Sequence, residues 1–108
     1  MTELPAPIVN YFAAVNAHDP DRATACFTPD AVVADDGHTR IGTDSIRQWI
    51  RHAIAQYRLT SEITAAEKTA NAMLISVQTA GTFPGSPIDF KYIFTLAGNR
   101  ISTLQIKT

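Results

Sequence analysis

Two side chains in this sequence could hold or move a proton beside an apolar surface. Tyr11 falls on a helical stripe with Ile8 and Val15. A phenol aimed into an apolar pocket can stabilise a developing oxyanion, because the donor is in place before the charge appears. Asp35 closes the run Ala31-Val32-Val33-Ala34-Asp35 and shares a strand face with Ala31 and Val33. Partial desolvation on that face would raise its pKa toward a range useful for moving a proton next to a carbonyl. The other reading of Asp35 is a turn residue that helps Asp36-Gly37 reverse the chain. The histidines carry less. His18 closes a helix, His38 lies in a hairpin return and His52 sits on a helix, with no i, i+4 pair among them. Solvated surface histidine is the expectation for each, and no metal site or cofactor is expected. Cys26, beside Phe27 on a short apolar segment, reads as buried and inert.

The elements that must position these groups follow from periodicity. Pro5 and Pro7 suit the first turn of a helix, where the missing amides have no intrahelical partner, and Ile8, Tyr11, Phe12 and Val15 follow at helical spacing. Asp19 can cap a short second helix with Pro20 at its first position, Ala23, Cys26 and Phe27 as its buried side, and Thr28-Pro29-Asp30 as its end. Asp36-Gly37 is a hairpin signal that returns the chain through His38 to Ile41. Thr43 or Asp44 then caps a third helix, with Ile46, Trp49, Ile50, Ala53, Ile54 and Tyr57 on its apolar face. Beyond Tyr57 the period changes to two. Strands are predicted over Leu59–Lys68, with Leu59, Ser61, Ile63 and Ala65 on one face, and over Ala72–Phe83, Ile88–Leu96 and Arg100–Lys107. Helices followed by strands joined through short turns is an α+β order, with helices covering one face of a curved antiparallel sheet.

Composition sets the limits. The chain has 108 residues, enough for one domain over 1–108, with 45% hydrophobic and 18% charged residues. Nine Lys and Arg against ten Asp and Glu give a net charge of −1, without the basic excess of a nucleic-acid binder. No apolar run approaches the ~20 residues of a membrane helix. The first residues lack a secretory pattern, so a cytoplasmic location is expected. A single cysteine excludes an intrachain disulfide.

The segment Asn10-Tyr11-Phe12-Ala13-Ala14-Val15-Asn16-Ala17-His18-Asp19 resembles the first helix of the nuclear transport factor 2-like superfamily, nearest to ketosteroid isomerases and SnoaL-like polyketide cyclases. The resemblance continues through Cys26-Phe27-Thr28-Pro29-Asp30-Ala31-Val32, Gly42-Thr43-Asp44-Ser45-Ile46 and Gly98-Asn99-Arg100-Ile101. It implies a cone-shaped fold: three N-terminal helices packed on a curved, mainly antiparallel sheet, with a pocket between them. It also implies that Tyr11 occupies the position of the isomerases' oxyanion donor and Asp35 that of their general base. The family's proline after the base is replaced here by Asp36. Pro87-Ile88-Asp89 matches the isomerases' Pro-Ile-Asp, which makes Asp89 a candidate second donor, a neutral carboxylic acid of the kind those isomerases exemplify. Strand parity opposes this, since Asp89 alternates with Phe90, Tyr92 and Phe94, and Tyr92 or Lys91 competes for that place.

The resulting expectation is a pocket protein for a small hydrophobic molecule. It would act as an isomerase or cyclase without a cofactor, using Asp35, Tyr11 and Asp89 on a steroid- or polyketide-like carbonyl compound. Phe12, Val15, Phe27, Trp49, Tyr57 and Tyr92 are core residues by default and the candidates to line that pocket, with Tyr11 and Trp49 at a cavity between helices and sheet. A homodimer is expected, because one sheet face mixes Thr, Ser and Gln with Ile and Leu. The alternatives are a binder without catalysis and a dimerising association domain of the same fold.

Overall fold

A computed structural model describes residues 4–35 and 37–107. The elements run α1 (Ala6–Asn16), α2 (Pro20–Thr24), β1 (Phe27–Asp35), β2 (His38–Ile41), α3 (Thr43–Tyr57), β3 (Thr60–Lys68), β4 (Met73–Ala80), β5 (Ile88–Ala97) and β6 (Arg100–Lys107). The six strands form one curved mixed sheet in the order β2-β1-β6-β5-β4-β3. All neighbours are antiparallel except β1 and β6, which run parallel. The helices are short, and α3 follows the β1–β2 hairpin as the order of sequence signals has it. The expectation of three N-terminal helices therefore holds only in part: all three precede β3–β6, but α3 does not precede the whole sheet. A parallel partner for β1 cannot be reached through a tight turn, so α3 and the rest of the sheet lie between β1 and β6.

Local chemistry sets most boundaries. Pro7 falls in the first turn of α1, and Asp19 caps α2 by accepting a hydrogen bond from the Arg22 amide at 3.2 Å. Helix α2 ends at Thr24, not at Thr28-Pro29-Asp30. β1 already begins at Phe27, because Phe27 pairs with Ile101 and the Ile101 amide donates to the Cys26 carbonyl at 2.7 Å. An irregularity between Phe27 and Val32 absorbs the extra residues. Gly42, not Thr43 or Asp44, occupies the cap position of α3. Asp35 pairs with His38, as a two-residue reversal requires, and Gly37 takes φ 77°; Asp36 lies outside the described residues.

Two strand details differ from the alternation pattern. A register shift between Ile63 and Ala65 turns Ala66 onto the core and leaves Ala65 exposed. β4 stops at Ala80, before the expected Phe83. There the Thr82 amide donates to the Tyr57 carbonyl at 2.7 Å and the Gly81 amide to the Ser86 hydroxyl at 3.0 Å. A Cβ at Gly81 would stand 2.5 Å from that same carbonyl, so the chain turns away against the end of α3 only because position 81 is glycine.

One face of the sheet carries the core. Ala31, Val33, Met73, Ile75, Val77, Tyr92, Phe94, Leu104 and Ile106 are buried there against Ile8, Phe12 and Val15 of α1 and Ile46, Ile50 and Ile54 of α3. The end of α1 is tied to the far edge strand by Asn16. Its side-chain amide donates to the Ser61 carbonyl at 2.8 Å, and its oxygen accepts from the Ser61 amide at 2.7 Å. No helix among the described residues is long and apolar enough to cross a membrane.

Two hydrogen bonds to partly buried backbone are each worth about 1 kcal/mol net. Asn16→Ala should therefore lower unfolding free energy by about 2 kcal/mol with an unchanged slope in urea. Loss of the Asp19 cap in Asp19→Ala should cost about half of that.

Candidate active site

β1, β6 and β5 bring the candidate groups together through register. Asp35 pairs with Ile106, Ile106 with Tyr92, and Tyr92 with Ile75, so these four residues form one row across the sheet. Residues in such a row project from the same face. Ile75, Tyr92 and Ile106 are buried in the core, so Asp35 also projects to the inner, helix-covered side, where it is partly buried. With strands about 4.8 Å apart, the backbones of Asp35 and Tyr92 are separated by about 10 Å.

Tyr11 reaches the same region from α1. Its ring stands edge-on to Phe27 at 5.6 Å, to Phe12 at 5.2 Å and to Phe94 at 6.0 Å between centroids. Phe12 in turn contacts Tyr92 at 5.3 Å and Phe94 at 5.9 Å. Edge-to-face packing of this kind fixes each ring against its neighbours beyond simple burial.

Burial raises the pKa of Tyr11 well above the ordinary phenol value, and the charges of Tyr92 and Asp35 raise it further. Tyr92 is raised for the same first reason, with Asp35 adding to it and the Thr79 hydroxyl opposing it as a hydrogen-bond partner. Both phenols therefore stay neutral and remain hydrogen-bond donors. The Asp35 carboxylate acts on both, which makes Tyr11, Tyr92 and Asp35 one electrostatic unit. Buried Thr79 also lies 3.2 Å from the buried Ser61 hydroxyl, extending a polar seam toward β3.

Other sequence candidates lie apart from this unit. Asp89 pairs with Gln78 on the outer face of β5 and is exposed, one residue out of phase with Phe90 and Tyr92. The carry-over of Asp89 as second oxyanion donor is corrected on this ground: a strand cannot turn Asp89 inward without a bulge, and the β4–β5 register is continuous there. Tyr92 occupies the inward position. Phe12, Val15 and Phe27 are buried around Tyr11, and Trp49 is partly buried against the core. Tyr57 instead packs edge-on against Phe83 at 5.9 Å, at the end of α3. Neither Tyr11 nor Trp49 lines the two surface depressions found among the described residues. One, of about 440 Å³, lies between Pro7, Arg22, Cys26 and Arg100, and the other, of about 480 Å³, between Thr64, Ser76, Asp89 and Lys91.

His18, His38 and His52 are exposed, and His18 Nε2 lies 3.0 Å from the Leu59 carbonyl. Cys26 is half-buried and not fully enclosed as expected; its thiol donates to the Arg22 carbonyl at 3.5 Å, and burial pushes its pKa up. Among the described residues no group of three or more His, Cys, Asp or Glu is arranged to hold a metal ion. Sequence reasoning passed over Arg40. Its signal was available in the Asp36-Gly37 turn, which fixes the hairpin register and pairs Arg40 with Val33 on the inner face.

Three helices with one curved mixed sheet make this an α+β fold. Residues 8–103 match the family model of the SnoaL-like domain, and the chain belongs to that family. A protein from Sinorhizobium meliloti, provisionally assigned as a polyketide cyclase, is 33% identical with a TM-score of 0.91, over 96% of this chain and 95% of its own. A Catenulispora acidiphila protein with a ketosteroid isomerase-like fold, solved with trimethylamine, is 20% identical with a TM-score of 0.86, over 98% and 87%. The epoxide hydrolase/cyclase-like enzyme SalBIII, which acts in pyran ring formation in salinomycin, is 20% identical with a TM-score of 0.82, over 93% and 85%. The last two likenesses concern the fold. No curated protein matched the sequence.

The raised phenols have a consequence for stability. A tyrosine whose folded pKa exceeds its unfolded value of about 10 favours folding below that pH, and the contribution is lost as pH climbs past it. Wild-type stability in urea should therefore fall on crossing about pH 10. Tyr92→Phe, which keeps the ring, should show a shallower fall.

Proposed function

We propose that the protein is a cofactor-free isomerase or cyclase acting on a small hydrophobic carbonyl compound. The observation that carries this reading is the cross-strand row that turns Asp35 inward on the same face as Tyr92, with Ile106 between them and Tyr11 packed over the same region. Asp35 takes a proton from the carbon next to the substrate carbonyl. The electron pair left behind moves onto the carbonyl oxygen, where Tyr11 and Tyr92 donate hydrogen bonds to the growing charge. Asp35 then returns the proton at another carbon, which completes an isomerisation. Attack of the enolate carbon on a second carbonyl carbon of the same molecule, whose π pair moves onto its oxygen and takes the proton back from Asp35, would complete a cyclisation instead.

The division of labour suits the electrostatics. Phenols that resist ionisation do not compete with the substrate for the negative charge. The rings of Tyr11, Phe12, Tyr92 and Phe94 are in mutual contact. In this reading a ligand enters from the Asp35 side, where burial is incomplete. The resemblance to proteins associated with ring formation supports the choice of a carbonyl substrate.

The test is proton exchange in a hydrophobic cyclic enone dissolved in deuterated buffer, followed by NMR. Asp35→Asn should slow exchange by about 10²–10⁴-fold while the enone still binds. Tyr11→Phe should reduce exchange with little loss of stability. Asp36→Asn serves as the charge-matched control and should leave exchange in place. Equal rates for wild type and Asp35→Asn would leave the binder reading in place of the enzyme.

A further inference from the structure

An arginine N–H taken from water needs an acceptor, because burying a donor without one costs free energy. Arg40, in the edge strand β2, is partly buried, and its Nε is fully enclosed without a hydrogen-bond partner. Its pairing with Val33 places its root on the inner face, since Val33 is 0% exposed in the core. The next residue, Ile41, belongs to the opposite face and is 66% exposed. The ion pairs among the described residues use Arg47 and Arg51 with Asp21 and Asp44, and none uses Arg40.

Arg40 is also placed next to the proposed chemistry. Asp35 is two residues beyond Val33 and pairs with His38, so Arg40 and Asp35 are diagonal neighbours on one face of the hairpin. Diagonal neighbours have roots about 7–8 Å apart, within reach of long side chains. Tyr92 lies three strands from β2 in the same sheet, about 14 Å between backbones, and both side chains shorten that span.

We infer that Arg40 is a specificity residue that binds a carboxylate of the substrate, so the site takes a carbonyl compound bearing a negative charge at the end remote from Tyr92. The inference rests on the proposed role of Asp35 and Tyr11 and adds the substrate class. Three features favour a carboxylate over a neutral polar group or a phosphate. The guanidinium is a planar fork that matches the two carboxylate oxygens. Its partial burial strengthens a charged contact relative to one in water. With one guanidinium beside the Asp35 carboxylate, a substrate carboxylate leaves one net negative charge at the site, whereas a phosphate dianion would leave two. The arrangement also orders the substrate: with its carboxylate on Arg40, the carbonyl points toward the phenols and the intervening carbon passes Asp35.

The experiment compares two fluorescent probes with the full chain at neutral pH: naphthol, and a hydroxynaphthoate carrying the same hydroxyl plus a remote carboxylate. Wild type should bind the hydroxynaphthoate about tenfold more tightly than naphthol. In Arg40→Met, which retains the aliphatic stem, the two affinities should come within about twofold, with naphthol binding unchanged. Arg40→Lys should keep part of the preference, since the charge remains and the fork is lost. Equal affinities in wild type, or a preference that survives in Arg40→Met, would overturn the inference while leaving the site reading intact. Binding of neither probe would overturn the site reading, and this inference with it. Should Arg40→Met fail to fold, the wild-type ratio and its reduction in Arg40→Lys decide the question.

Discussion

The parallel pairing of β1 with β6 joins two parts of the chain that otherwise have little reason to share a core. On one side stand α1, α2, the β1–β2 hairpin and α3; on the other, the meander from β3 to β6. The meander is held by neighbouring antiparallel pairs, each closed by a short connection. β1 has such a neighbour only in β2, and the backbone groups of its other edge find partners only when β6 arrives. A buried strand with an unpaired edge is costly, so this junction is strongly favoured once both strands exist. Asp35 depends on it directly, because the β1–β6 register decides which residue of the meander it faces.

Around that junction the aromatic rings supply both rigidity and chemistry. Tyr11, Phe12, Phe27, Tyr92 and Phe94 come from one helix and two strands, and the ring contacts between helix and strands hold α1 onto the sheet. The same burial that stabilises the rings keeps the two phenols protonated. Packing and acid–base character are thus consequences of one apolar enclosure. The lock between Asn16 and Ser61 plays a complementary part, fixing the far end of α1 so that Tyr11 holds its position relative to β5.

Polar side chains on the inner face divide into two groups. Ser61, Thr79 and Tyr92 satisfy one another along a seam toward β3. Asp35 and Arg40 sit at the other side, near the sheet edge formed by β2. This asymmetry gives the interior an end of neutral hydroxyls and a charged end. A ligand lying between them would have its orientation set by the sheet itself.

Much of this was legible in the sequence where the cause is local. The Asp19-Pro20 start of α2, the Asp36-Gly37 reversal, the alternation of Met73, Ile75, Val77 and Thr79, and the limits of β6 are set by capping, turn conformation and side-chain period. Tyr11 and the inward phase of Asp35 follow from the same periods. What the sequence could not decide was everything that depends on distant partners. Phe27 joins a strand because Ile101 meets it, Ala66 replaces Ala65 in the core because the β3–β4 ladder shifts, and Asp89 stays outside because the β4–β5 register runs without a break. The row from Asp35 through Ile106 to Tyr92 belongs to this second kind. Period two tells which face a residue takes within its own strand, but only hydrogen bonding between strands far apart in the chain tells which residues lie side by side on it.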